Sequence, residues 1–375
     1  MRLVPAGSSL TRLAKLSLVL ALFGLVAAAC GDDDDTASDD PASVEGEGGA
    51  TEESGDAGGG DLGDLAIQFG WIKNAEFAGN YMADAFGYYL DEGFSSVELL
   101  GGGPAVDPIA PLIAGDALYA YAASEQVAAA VSNEDAPLVV IGANFQENPF
   151  CILYENSAPL TSAEDLVGKT IGVQATNEPV WRAMLEANGL EEGTGPDQVN
   201  RIPVEFDPAP LMTGEVDGFF SFVTNEPNIL RTEHDMDVDC LMLGDIGVNL
   251  FQQLYVTTEE NLETRFDALV AAMRAEVKGW QHAFADPAEA ERLTLEVYGK
   301  DLDLPVESQA LELADQEELI TAGETSETGI FYMTEERIAE NVELLQSLGF
   351  DVTEDLYTNA VLDEVYADGT QLYEG

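Results

Sequence analysis

From Leu65 to Thr257 the chain alternates short apolar runs with amphipathic segments, and glycines stand at many of the junctions. That alternation predicts an α/β fold and excludes a sandwich or a helical bundle, because helices must cover the apolar faces of the strands they connect. Strands are expected at Leu65 to Trp71, Val97 to Leu100, Ala117 to Ala122, Leu138 to Phe145 and Phe150 to Tyr154, with helices at Ala78 to Glu92, Val106 to Ala114 and Glu125 to Ser132. A second unit follows with strands at Thr170 to Gln174, Asn200 to Pro203, Gly218 to Phe222 and Asp239 to Leu243. Its helices are expected at Ser162 to Val167, Pro179 to Asn188, Pro208 to Thr213 and Glu226 to Thr232.

Phe251 to Thr257 reads as a strand returning to the first unit. Beyond it the pattern turns helical, at Glu259 to Phe284, Pro287 to Tyr298 and Thr334 to Leu348. The expected organisation is one lobe from residues 64–155 plus 250–375 and an inserted lobe from 156–249. Two crossing strands would act as a hinge, leaving a cleft that can shut on a small molecule.

Residues 1–29 read as a secretory signal, with Arg2, Arg12 and Lys15 ahead of an apolar run from Leu16 to Ala29. That run is shorter than the roughly 20 residues a permanent membrane helix needs. Cys30 directly after three alanines matches a lipidation site; the alternative is an ordinary cleaved signal with an incidental cysteine. Residues 30–63 are acidic, small and almost free of apolar side chains, so they form a disordered tether. The expected location is the extracytoplasmic face of the cell membrane. With 71 acids against 14 bases and a net charge of −57, nucleic acid is excluded as a partner, since phosphates are bound by Lys and Arg.

Ligands of α/β sheets bind where strand ends meet helix starts at a crevice. That rule selects Trp71, Asn74 and Glu76 after the first strand and Ser124 before a first-lobe helix. In the second lobe it selects Thr176, Asn177 and Glu178, then Asn225 and Glu226. Trp71 could stack on a flat ring, or be plain core. The polar residues could bond a solute, or merely open their helices. Of the bases only Lys73 and Arg182 fall near these loops, so Glu76, Glu178 and Glu226 point to a neutral or cationic amine-bearing ring rather than an anion.

His234 and His282 lie away from these loops, and no catalytic triad, metal-spaced histidine pair or phosphate loop is present in the sequence. No enzyme activity, metal or cofactor is therefore expected. Cys151 and Cys240 either form a disulfide or remain two buried thiols.

The stretch Phe69 to Ala83 (FGWIKNAEFAGNYMA) with Gly87 to Tyr89 resembles the substrate-binding proteins of ABC transporters related to the thiamine pyrimidine precursor receptor and the pyrimidine synthase. So do Ile113 to Asp116, Asp165 to Val173, Leu211 to Gly218 and Thr224 to Pro227, and the similarity extends from Leu65 to Phe284. The resemblance implies a type II periplasmic-binding-protein fold: two α/β lobes, a two-strand hinge and a helical C-terminal segment. It implies a monomeric lipoprotein that binds a small heteroaromatic solute, similar to a thiamine pyrimidine precursor, and delivers it to ABC permease subunits. An aliphatic sulfonate, nitrate, riboflavin or another small solute is an alternative within that fold. A pyrimidine-synthase-like enzyme and a ligand-free interaction lipoprotein are alternatives of other classes. The family's first helix usually carries a histidine where this chain has Phe77, so no imidazole is available there.

Overall fold

The computed structural model describes residues 61–375; the signal segment 1–29, Cys30 and the tether up to residue 60 lie outside the described residues. Among the described residues there are ten strands: β1 (Asp64–Gln68), β2 (Ser96–Leu100), β3 (Tyr119–Ala122), β4 (Leu138–Phe145), β5 (Phe150–Glu155), β6 (Thr170–Gln174), β7 (Asn200–Val204), β8 (Gly218–Phe222), β9 (Val238–Met242) and β10 (Gln252–Thr258). They build two five-stranded sheets, ordered β2-β1-β3-β10-β4 and β7-β6-β8-β5-β9. In each sheet three strands run parallel, as helix-crossover connections dictate, and one strand runs antiparallel to two neighbours. The antiparallel strands are β10 in the first sheet and β5 in the second, the two that follow a crossing. The architecture is the expected type II arrangement of two α/β lobes with a helical C-terminal segment.

One boundary differs from the sequence reading. β5 sits inside the second sheet between β8 and β9, so the chain crosses between lobes at 146–149 rather than at 155. An apolar run announces a strand but carries no mark of the sheet that receives it. The two crossings are tied together. Asn148 donates its side-chain amide to the Val248 carbonyl at 2.7 Å and its backbone N–H to Asn249 Oδ1 at 3.0 Å. Arg337, from the helix Glu335–Ser347, donates to the carbonyls of Gln146 at 3.3 Å and Asn249 at 3.0 Å, so one guanidinium pins both. Within the second sheet Cys151 on β5 and Cys240 on β9 are joined as a disulfide with Cα atoms 5.5 Å apart.

The expected helix Ala78 to Glu92 is two, Ala78–Ala85 and Tyr88–Asp91, because Gly87 takes a left-handed conformation at φ 75°. Glu259 to Phe284 likewise divides into Glu259–Thr264 and Phe266–Ala285. A helix absent from the sequence reading, Val306–Ile320, packs against the segment after β1 and the helix Glu226–His234. Its buried face mixes Ser308, Gln309, Glu312 and Gln316 with Leu313, Leu319 and Ile320, while Val306 and Leu311 face solvent. Polar residues on the inner face and apolar ones on the outer face blur the amphipathic pattern, which hides the helix from hydrophobic periodicity.

The first-lobe core is organised around a close crossing of Ala78–Ala85 and Phe266–Ala285. Gly79 lies against the Trp280 ring, and a methyl group at Gly279 would overlap the Gly79 carbonyl. Beside the crossing, Glu276 is fully buried and accepts hydrogen bonds from the hydroxyls of Tyr89 at 2.8 Å and Tyr121 at 3.2 Å, and from Tyr119 and the Asn80 amide. Burial pushes its carboxyl up to about 7, against the opposing pull of the three tyrosine hydroxyls. Gly279→Ala is expected to force these helices apart and lower stability by about 1–3 kcal/mol in denaturant unfolding. An unchanged midpoint would show that the crossing has slack.

Candidate functional site

A cavity of about 170 Å³ lies between the two sheets and is lined from both lobes. From the first lobe come Trp71, Asn74, Glu76, Glu125 and Gln126, and from β10 come Gln252 and Gln253. The second lobe adds Thr176, Asn177, Phe206, Asn225 and Glu226, and the C-terminal segment adds Glu312. Of the residues selected from sequence, Trp71, Asn74, Glu76, Thr176, Asn177, Asn225 and Glu226 are brought together here.

Ser124 and Glu178 are not. The buried Ser124 hydroxyl donates to the Phe251 carbonyl at 2.5 Å, which fastens its helix to the returning strand. Glu178 turns away toward Arg201, with 3.7 Å between the charged atoms and half its side chain exposed. A residue at a helix start can point along the helix or back under it, and local sequence does not distinguish the two.

Trp71 ends the first-lobe wall and meets Phe206 of the second lobe edge-on, with ring centroids 4.9 Å apart. Phe77 is buried, lines the cavity and stacks on Phe69 at 3.9 Å. Two consecutive glutamines at the start of β10 reach carboxyl groups on different elements. Gln252 donates to Glu125 at 3.1 Å, and Gln253 donates to Glu76 at 2.9 Å. Gln253 adopts a left-handed backbone at φ 53°, an uncommon conformation for a non-glycine residue and a kind of strain that concentrates at binding sites.

Glu226 opens its helix just past β8, where its carboxylate accepts the Ser221 hydroxyl at 2.8 Å and the Phe222 N–H at 3.1 Å. Glu312 accepts the side-chain amides of Asn74 at 2.8 Å and Gln309 at 2.9 Å. Removal from water, then the charge of Glu226, pushes Glu76 up to about 8. Burial also raises Glu125 and Glu226, and it raises Glu312 strongly, with the charge of Glu76 adding to the effect. Among the described residues no lysine, arginine or histidine lines this cavity.

A neighbouring cavity of about 340 Å³ shares Glu125, Gln126 and Thr176 and reaches Arg182, Leu348 and Phe350. Among the described residues no group of three His, Cys, Asp or Glu side chains is disposed to hold a metal ion. No helix among them is long and apolar enough to cross a membrane.

Sequence reasoning missed Glu125, Gln126, Gln252, Gln253, Phe206 and Glu312. The first two directly follow Ser124 in a turn already singled out. Gln252 and Gln253 interrupt the otherwise apolar stretch from Leu250 to Val256, a visible signal. Glu312 sits in the helix that periodicity hides.

Two lobes, each an α/β sheet with one antiparallel strand after a crossing, around a ligand-sized cavity define a type II periplasmic-binding-protein fold. The chain belongs to the NMT1/THI5-like family, whose model matches residues 74–290. It is 25% identical over 237 residues to the riboflavin-binding protein RibY of Chloroflexus aurantiacus, an alignment covering 62% of this chain and 66% of that one, just under two thirds of its length. The periplasmic aliphatic sulphonate binding protein SsuA of Escherichia coli superposes with a TM-score of 0.56 at 16% identity, over 76% of this chain and 86% of that one. The desulfurization enzyme DSZB superposes with a TM-score of 0.54 at 13% identity, over 80% and 98%. At such identities the structural likeness speaks to fold alone, and one fold serves both binding and catalysis.

The site geometry yields two expectations. Ser124→Ala is expected to lower stability by about 1–3 kcal/mol, through an unpaired buried carbonyl, without changing affinity for a cleft-bound solute. Glu76 and Glu276 hold protons in the folded state that the unfolded chain releases above the ordinary value of 4.5. Their contribution to stability is full below that pH and is lost as pH rises toward about 7 for Glu276 and about 8 for Glu76. The melting temperature of the ligand-free protein should therefore fall as pH rises across this window, and less steeply in Glu76→Gln.

Proposed function

We propose that this protein is an extracytoplasmic solute receptor of an ABC importer, lipid-anchored through Cys30 and acting as a monomer. In this reading it captures a small heteroaromatic solute, of the thiamine pyrimidine precursor kind, between its lobes and presents the closed complex to a membrane permease. The reading is carried by the cavity between the sheets, which takes aromatic and polar groups from both lobes. A ligand touching both walls favours the closed form over the open one by its differential contacts. The volume of about 170 Å³ suits one substituted ring, since a cavity of about 150 Å³ accommodates benzene. Among the described residues no cysteine, lysine or histidine lines the cavity, which disfavours covalent catalysis through a thiol, an amine or an imidazole.

A flavin is the second reading. It is favoured by the adjoining cavity, which shares three lining residues with the first and would lengthen the site, and by the likeness to RibY.

Mass spectrometry of the solute that co-purifies with the protein tests both readings, followed by thermal shift with that solute. At 100 times Kd the bound protein should gain about 2.7 kcal/mol and return the solute chemically unchanged. Trp71→Ala should weaken affinity about tenfold or more, which is about 1.4 kcal/mol. Unaltered affinity in that variant would remove the stacking role, and conversion of the solute on incubation would make the protein an enzyme.

A further inference from the structure

Carboxyl groups face the cavity from four separate elements. Glu76 follows β1, Glu125 stands on helix Ser124–Glu134, Glu226 on helix Glu226–His234 and Glu312 on helix Val306–Ile320. Three of the four are almost wholly buried, and none is in an ion pair among the described residues. Their partners are amides, one hydroxyl and one backbone N–H: dipoles that soften a buried negative charge without neutralising it. A separate observation has the same sense. Asn74, 3% exposed, lines the cavity with its Oδ1 lacking any hydrogen-bond partner, an acceptor awaiting a donor. Among the described residues no cationic side chain stands in the cavity to hold an anion, and no three of the acids are disposed as metal ligands.

We infer that the solute is an organic cation, a ring carrying protonated or permanently charged nitrogen with N–H donors, and that Glu312 selects it from a helix beyond the family-matched residues 74–290. This deepens the receptor reading and rests on it. Glu312 and Asn74 form one bonded unit, held by Gln309, whose Oε1 also accepts the Ala75 N–H at 2.9 Å. The C-terminal segment thereby places a carboxyl group at the first-lobe wall, near Glu226 of the second lobe and ready to ionise against a cation. A cation between them is attracted from both sides, so it draws the lobes together.

Cation capture also displaces protons. Glu76 is faced by Glu226 and Glu312 from two helices and by Tyr81 from helix Ala78–Ala85, with Glu125 and with Tyr121 of β3 lining the same cavity, all acidic or neutral. Its carboxyl is raised by burial and by the charge of Glu226, and it gives up its proton when a positive charge arrives. Affinity for a fixed cation therefore rises with pH, by at most about tenfold per pH unit for each proton released.

Isothermal titration with 4-amino-1-methylpyridinium, its neutral isostere p-toluidine and the anion p-toluenesulfonate tests the inference, alongside the charge of the co-purifying solute. The expected result is a cation preference of about tenfold or more over the other two probes. That preference should strengthen as pH rises toward the Glu76 value and fall several-fold in Glu312→Gln, which retains an acceptor for Asn74. The pH series on the unaltered protein stands even if the variant folds poorly. A neutral or anionic solute bound stoichiometrically, or equal affinity for the three probes, overturns the cation inference and leaves the receptor reading in place. Absence of any co-purifying solute together with no binding of any probe overturns both.

Discussion

Strand exchange between the lobes is the constraint on which the rest of this structure depends. β5 leaves the first lobe to pair with β8 and β9, and β10 returns to pair with β3 and β4, each antiparallel to its neighbours. Because both exchanged strands are held on two sides by ladder hydrogen bonds, neither lobe can drift from the other except by bending the short crossings. Asn148 and Arg337 bind those crossings to one another, so bending there is a concerted motion of two segments rather than two independent ones. The cleft is the space this restricted motion leaves, and β10 brings Gln252 and Gln253 to its wall as a direct result of returning.

The cleft concentrates what the remainder of the protein disperses. Acidic side chains elsewhere are mostly solvated, where high dielectric and salt weaken their repulsion. At the cavity three are buried with amide and hydroxyl partners, so their preference for protons or for positive charge is strong. The Glu276 cluster is the contrasting case: its carboxyl is surrounded by tyrosine hydroxyls and an asparagine amide, and its capacity for acceptance is consumed internally. Tyr121 belongs to both settings, bonded to Glu276 and Asn80 while lining the cavity, so the core network stiffens one wall of the site.

The strand ends were legible because helix starts after strands are marked by Asn, Glu and Pro, as at Asn177 to Pro179 and Asn225 to Pro227. Seven of the nine selected residues line the cavity. Ser124 and Glu178 do not, since the rule locates a turn and leaves side-chain direction to packing. Phe206 was illegible: it lies in a loop after β7, and its contact with Trp71 is made across the two lobes by residues 135 positions apart. Glu312 was more deeply hidden, because its helix mixes polar with apolar residues on its buried face and exposes Val306 and Leu311.

Local pattern determined the α/β class, the succession of strands and helices, the helical C-terminal character and the loops from which a site would be built, since all of these follow from repeats a few residues long. Tertiary structure decided which sheet receives β5, which turn residues face inward, and that Glu312 stands beside Asn74 across 238 positions of chain. The physical reason is range. A strand or helix records its own solvent exposure in the spacing of its side chains, whereas a buried polar contact depends on groups that approach only after the sheets have formed.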